Sequence, residues 1–223
     1  RGDLQTTMSE CFLTGCDKNT EWQLPWFIDN YSNHTKTPLI IADFGMSEEM
    51  LTSVSSFAHR IITCKANGWF SKIEAMLEAA HQEFNRVCWL DTDCQVMANP
   101  KGIFNYVVHN KLTMVKDHPW TKRRPENGDW HNTGVVAFEG RPPTLRQWMS
   151  VADKKEHRGD QEVMHAMIGG DAMRKMMMIA DAPHRFNVLR LDHIDNNVPE
   201  NPVIMHWTGE KGKDEIRRQM NSL

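Results

Sequence analysis

Neither of the glycine-rich phosphate loops is present: the chain has no G-x-G-x-x-G stretch and no G-x-x-x-x-G-K-[ST] stretch. Dinucleotide binding on a helix-opening glycine turn and P-loop chemistry are therefore both set aside. Apolar runs long enough to span a bilayer are missing too, and the polar amino terminus lacks the apolar stretch of a signal peptide. Charge of one sign is scarce, with a formal net charge of -3 over 223 residues. No global field recruits nucleic acid or an anionic membrane, although Lys122-Arg123-Arg124 forms a local basic cluster. Cysteine is limited to five residues, Cys11, Cys16, Cys64, Cys88 and Cys94, odd in number and mostly within or beside apolar runs. They do not fit a disulfide framework or a zinc site, and free thiols point to a cytoplasmic protein.

What remains is ordinary globular composition, 40% hydrophobic and 25% charged, in a length that suits one domain. The chain opens with a short strand at Glu10 to Gly15, followed by a turn and a helix from Trp22 to Tyr31. A second strand at Pro38 to Ala42 precedes Ser47, an N-cap with Glu48 and Glu49 in the first turn of a helix through about Phe57. Arg60 to Cys64 is a third strand, and Trp69 to Glu83 carries Phe70, Ile73, Met76, Leu77 and Ala80 on one helical face. Strands alternating with helices predict an α/β fold, a mostly parallel sheet flanked by helices with right-handed crossovers. The second half is less regular. Strands are expected at Lys111–Val115, Val135–Phe138, Met176–Ile179 and Val203–Met205, and helices from Pro142-Pro143 and from Asp160. His118 to His131 reads as a polar loop, and the fifteen methionines as core filler.

The stretch that stands out is Val87-Cys88-Trp89-Leu90-Asp91-Thr92-Asp93, an apolar strand that stops at two carboxylates one residue apart. At the carboxyl end of a strand in an open α/β sheet, such a pair faces the ligand crevice. Mutual repulsion makes a hard divalent cation the natural partner. The same pattern also serves turns and caps, and the motif alone does not decide between the two.

The decision comes from further segments in order: Thr14-Gly15-Cys16-Asp17, Asp43-Phe44-Gly45-Met46-Ser47, Leu90-Asp91-Thr92-Asp93, Asn132-Thr133-Gly134-Val135, Asp160-Gln161-Glu162 and His206-Trp207-Thr208-Gly209. Taken together they resemble a glycosyltransferase of the GT-A fold, a single Rossmann-like domain. The resemblance is greatest to the retaining family 8-like group of glycogenin and the lipooligosaccharide galactosyltransferases. It implies a nucleotide-sugar donor, with UDP-hexose suggested by analogy, and a glycan or other hydroxyl acceptor. Residues 1–98 would form the nucleotide- and metal-binding half and residues 99–223 the donor-sugar and acceptor half. Asp91, Asp93 and His206 correspond to three metal ligands, a set that favours Mn2+ over Mg2+. Asp160 and Gln161 correspond to the catalytic pair at the sugar, with Asn132 on its hydroxyls. Thr14, Asp17, Lys72, Asp91, Thr92, Gly209 and Lys211 correspond to further donor contacts. Gln161 is a poor nucleophile, so the resemblance implies retention by same-face attack. One departure stands at the end: where the family continues to a lysine, this chain has Gly212 between Lys211 and Lys213.

Two other readings compete. An Asp-x-Asp phosphatase of the haloacid dehalogenase type would carry the motif on its first strand, whereas three strands precede Asp91, and Gly170-Asp171 lacks a second acid. A noncatalytic nucleotide- or carbohydrate-binding protein on a decayed transferase fold is compatible with the altered terminal motif.

Overall fold

A computed structural model of the chain describes residues 9–65, 70–80, 83–152, 159–168 and 170–222. Four strands build the first half: β1 (Glu10–Cys16), β2 (Leu39–Asp43), β3 (Arg60–Thr63) and β4 (Arg86–Leu90), all parallel. Their apolar residues alternate between two helical layers. Leu13, Ile40 and Trp89 face one core, while Phe12, Ile41 and Leu90 face the other. A sheet covered on both faces produces near-continuous apolar strands, which is the pattern seen in the sequence.

The helices between them are α1 (Leu24–His34), α2 (Glu48–Ser55) and α3 (Ser71–Ala79). Pro25 sits in the first turn of α1, where its missing N–H costs nothing. Ser47 caps α2 as expected, accepting from the Met50 N–H at 3.2 Å. Of the predicted helical segment Trp69 to Glu83, Trp69, His81 and Gln82 lie outside the described residues.

After β4 comes a three-residue strand that the sequence reading missed, β5 (Cys94–Val96). The main sheet continues with β6 (Leu112–Lys116), β7 (His131–Glu139) and β8 (Ile179–Asp181). Its seven strands run in the order β3-β2-β1-β4-β7-β6-β8, with β7 antiparallel to both neighbours. The sheet is thus mostly parallel and continuous through both halves of the chain. A second sheet has the order β5-β10-β9, from β9 (Val188–Leu189) and β10 (Ile204–His206).

Three expectations are corrected. The polar stretch after Asp117 is not a loop throughout: α4 (His118–Arg123) forms there, because Asp117 caps it through the Trp120 N–H at 2.8 Å and Pro119 fits its first turn. Met176 to Met178 belong to a helix, α7 (Ala172–Met178), capped by Asp171, and the strand begins only at Ile179. Straight-chain methionine favours helix over strand. Nor are all methionines core filler. Met97, Met173, Met176 and Met177 are exposed, the last at 67%. The remaining helices are α5 (Pro143–Ala152) and α6 (Asp160–Ile168), both expected, with α8 (Arg190–Ile194) and α9 (Gly209–Met220). Among the described residues no helix is long and apolar enough to cross a membrane.

At the open end of β8, hydrogen bonds from His131 and then Lys175 lower the Asp181 pKa from 3.8 to about 2. A depressed folded-state pKa gives stability that is complete above the unfolded value and lost as pH falls through the folded one. Asp181→Asn is therefore expected to flatten the acid limb of the stability curve below pH 3.8. Denaturant unfolding across that window checks this, and an unchanged acid slope would disprove it.

Candidate active site

The carboxyl ends of β1, β4 and the start of β7 meet in one crevice. Asp91 and Asp93 leave β4 in a tight turn, held by a hydrogen bond from the Asp91 N–H to the Gly134 carbonyl at 2.9 Å and one from the Cys94 N–H to the Asp91 carbonyl at 3.0 Å. The small sheet brings His206 beside them. Antiparallel pairing sets His206 opposite Cys94, and the Trp207 N–H closes onto the Asp93 carbonyl at 3.0 Å. As a result His206 Nε2 lies 3.0 Å from Asp93 Oδ1 and 3.7 Å from Asp91 Oδ2.

Burial works against a charged imidazole here, but Asp93 and then Asp91 outweigh it and hold the His206 pKa above its ordinary value. Space for the ring comes from Gly134, where an added Cβ would fall 2.1 Å from His206 Cε1. Asp93, Cys94 and His206 each offer a ligand atom within 4.8 Å of the others. Burial pushes the Cys94 thiol well above its ordinary range, and its Sγ lies 3.8 Å from the Gly134 carbonyl. With Asp91 beside them, two carboxylates and an imidazole are at hand, a donor set that suits a divalent ion. The residues present therefore fit a cation.

Lys72 is the second charge at the site. Only 6% exposed, it projects from α3 beneath the turn rather than into solvent. Its Nζ lies 3.3 Å from Asp91 Oδ1, ion-pairs with Asp160 Oδ2 and donates to the Thr133 carbonyl at 3.0 Å. Burial opposes the charged amine, yet Asp160 and Asp91 raise its pKa. Trp89 Nε1 donates to the same Asp91 oxygen at 2.6 Å.

Asp160 and Gln161 open α6 as expected, the first buried against Lys72. Gln161 is held at both ends of its amide, accepting from Asn132 Nδ2 and donating to Asp117 Oδ2, each at 2.9 Å. Asn132 also accepts from the Gly134 N–H at 2.9 Å and from Asn187 Nδ2 at 2.8 Å. Lys72, Asp91, Asp93, Asn132, Asp160, Gln161 and His206 thus form one contiguous set.

Other expected site residues lie differently. Thr14 is 0% exposed, and its Oγ1 finds no hydrogen-bond partner among the described residues. Asp17 folds onto its own turn, accepting from Asn19 and Thr20 backbone N–H groups at 3.0 Å. Burial opposes its charge, but the hydrogen bonds hold its pKa below the usual value. Thr92 is buried and donates to Gln23 at 2.9 Å, which ties the carboxylate turn to the segment before α1. Asp43 shapes the loop after β2 by accepting from the Gly45 and Met46 N–H groups at 2.8 Å.

At the terminal motif, Gly209 begins α9 with φ +73°, and Lys211 is exposed on the first turn. Gly212 has a packing reason, since a Cβ there would lie 1.8 Å from the Trp207 carbonyl oxygen. Sequence reasoning missed Asp117 and Asn187. Asp117 had a signal, an acidic residue two before a proline at a helix start, whereas Asn187 had none. In the stretch after Asp117, Trp130 is buried and stacked on His165 at 3.7 Å. Arg123 is paired with Asp195, and Arg124 lies over Trp120.

Lys72→Met is expected to cost about 3–5 kcal/mol, because it leaves the buried Asp160 carboxylate without its counter-charge. Chemical denaturation measures it, and a neutral result would mean that the site tolerates that charge.

A family model described as nucleotide-diphospho-sugar transferase matches residues 70–220, more than half of the chain. No curated protein matches it in sequence. Among solved structures the chain is similar to the galactosyltransferase LgtC in complex with donor and acceptor sugar analogs, with TM-score 0.66, 15% identity and 96% of each chain covered. It is similar to the glycosyltransferase GlyE of Streptococcus pneumoniae TIGR4, with TM-score 0.65 and 14% identity over 90% of this chain and 55% of that one. Mouse xyloside xylosyltransferase 1 aligns with TM-score 0.55 and 15% identity, over 90% of this chain and 97% of that one.

Proposed function

Because the chain belongs to the nucleotide-diphospho-sugar transferase family and is a GT-A-fold glycosyltransferase, we propose that it transfers a hexose from a UDP-sugar to a hydroxyl acceptor, dependent on Mn2+ or Mg2+ and with retention. The observation that carries this reading is the convergence of Asp91, Asp93 and His206 at a strand end, with Lys72 bridging Asp91 to Asp160.

A cation held by Asp91, Asp93 and His206 would supply positive charge for the diphosphate that leaves. The protein's own groups supply the rest. Just beyond His206, α9 begins, and the unpaired N–H groups of its first turn add to the attraction for phosphate. Lys211 on that turn is the exposed amine available in place of a lysine at 212. Asp160 orients the donor sugar's hydroxyls, and its ion pair with Lys72 fixes where that carboxylate stands. Asn132 presents the Gln161 amide to the sugar, and Asp117 holds it from the other side. An amide braced in this way stabilises charge without attacking, so the acceptor oxygen approaches on the face the diphosphate leaves. Residues 1–98 are assigned to the nucleotide and residues 99–223 to the sugar and acceptor, with His206 crossing between the two roles.

Calorimetric titration of UDP with Mn2+ tests the donor site. Binding is expected that vanishes with EDTA and in Asp93→Asn, while GDP binds at least tenfold more weakly. Absence of any nucleotide binding would sink the transferase reading, and donor affinity without transfer or hydrolysis would favour a noncatalytic binding role. Isolation of a covalent sugar adduct on the enzyme would overturn same-face attack.

A further inference from the structure

We infer that Asn187 is a positioning residue that sets the tautomer of His206, keeping the Nε2 lone pair turned toward Asp91 and Asp93. This rests on the reading of His206 as a cation ligand. Asn187 is 1% exposed and lies between the short turn His184–Phe186 and β9. It makes no contact with either aspartate in the hydrogen bonds of the site; its reach to the cation position runs through the imidazole.

The direction of every hydrogen bond around Asn187 is dictated by groups that have a single role. A backbone N–H can only donate, so the Asn132 atom 2.9 Å from the Gly134 N–H is its carbonyl Oδ1. The other end agrees. The Asp117 carboxylate takes the Trp120 N–H on Oδ1 and Gln161 Nε2 on Oδ2, which leaves Gln161 Oε1 to accept from Asn132 Nδ2. With both ends of Asn132 assigned, Asn187 must offer its amino group to Asn132 Oδ1, at 2.8 Å. Its own carbonyl oxygen then faces His206 Nδ1 at 3.1 Å. That oxygen carries no proton, so Nδ1 does.

In a neutral imidazole with the proton on Nδ1, Nε2 holds the lone pair. This outcome would not follow from the carboxylates alone. Asp93 lies 3.0 Å from Nε2, and a neutral ring left to itself would place its proton there to donate to it. A cation would then meet a proton in place of a lone pair. The Asn187 carbonyl opposes this, since moving the proton to Nε2 would set two lone pairs against each other in a buried position.

Two measurements on the full chain test the assignment. In metal-free protein, at a pH where His206 is neutral, nitrogen NMR should show the proton on Nδ1. In Asn187→Leu, close in size but without an acceptor, the proton should move to Nε2, and Mn2+ affinity by calorimetry should fall about 10- to 100-fold. A wild-type His206 with its proton on Nε2 overturns the inference whether or not the variant folds. So does a folded Asn187→Leu protein that binds Mn2+ as tightly as wild type. His206→Ala separates the two levels: if it binds Mn2+ normally, the metal reading itself is wrong. If it loses Mn2+ while Asn187→Leu does not, only the role of Asn187 is lost.

Discussion

Repulsion among three carboxylates is the constraint that the rest of the structure answers to. Asp91, Asp93 and Asp160 converge where β4 ends and α6 begins, in a region too buried for water to screen them well. Lys72 lies between Asp91 and Asp160, and His206 against Asp93 and Asp91. Each counter-group is itself buried, and the acids beside it raise its pKa against the pull of burial. The arrangement is self-consistent but poorly stabilised by itself, because desolvating ion pairs offsets much of their attraction. Its value is in specifying where each charge stands.

Backbone geometry serves the same end. Strand β7 runs antiparallel beside β4, and its Gly134 carbonyl grips the Asp91 N–H. The absence of a side chain at Gly134 leaves the volume that the His206 ring fills. Gly212 acts one turn into α9, letting that helix rest on the Trp207 carbonyl. Two glycines that sequence patterns treat as motif punctuation are thus both close-approach positions. Neither relies on an unusual φ.

Much of this was legible because burial on both faces writes itself as apolar runs. Strands β1 to β4, the Ser47 cap and the carboxylate turn all emerged near their observed bounds. Parts that depend on long-range closure did not. Strand β5 is three residues with a polar centre, and it exists because β10 pairs with it. The methionine run of α7 carries apolar character without burial, so hydrophobicity alone pointed to the wrong element. Lys72 could be named from family likeness, but its inward direction is a property of how α3 packs under β4. Asn187 is a lone asparagine in the sequence, and its meaning comes entirely from the two side chains it bridges, Asn132 and His206. Asp17 shows the converse, a motif position whose carboxylate accepts from the backbone of its own turn.

The pairing of β5 with β10 also imposes an order in time. Asp91 and Asp93 are synthesised more than a hundred residues before His206, which lies on a strand whose partner has been waiting since Cys94. A nascent chain on the ribosome can already pair β1 to β4 locally, whereas this closure must wait for a distant segment. If, as proposed, Asp91, Asp93 and His206 hold a cation, that donor set stays incomplete until β10 has been made and has paired with β5.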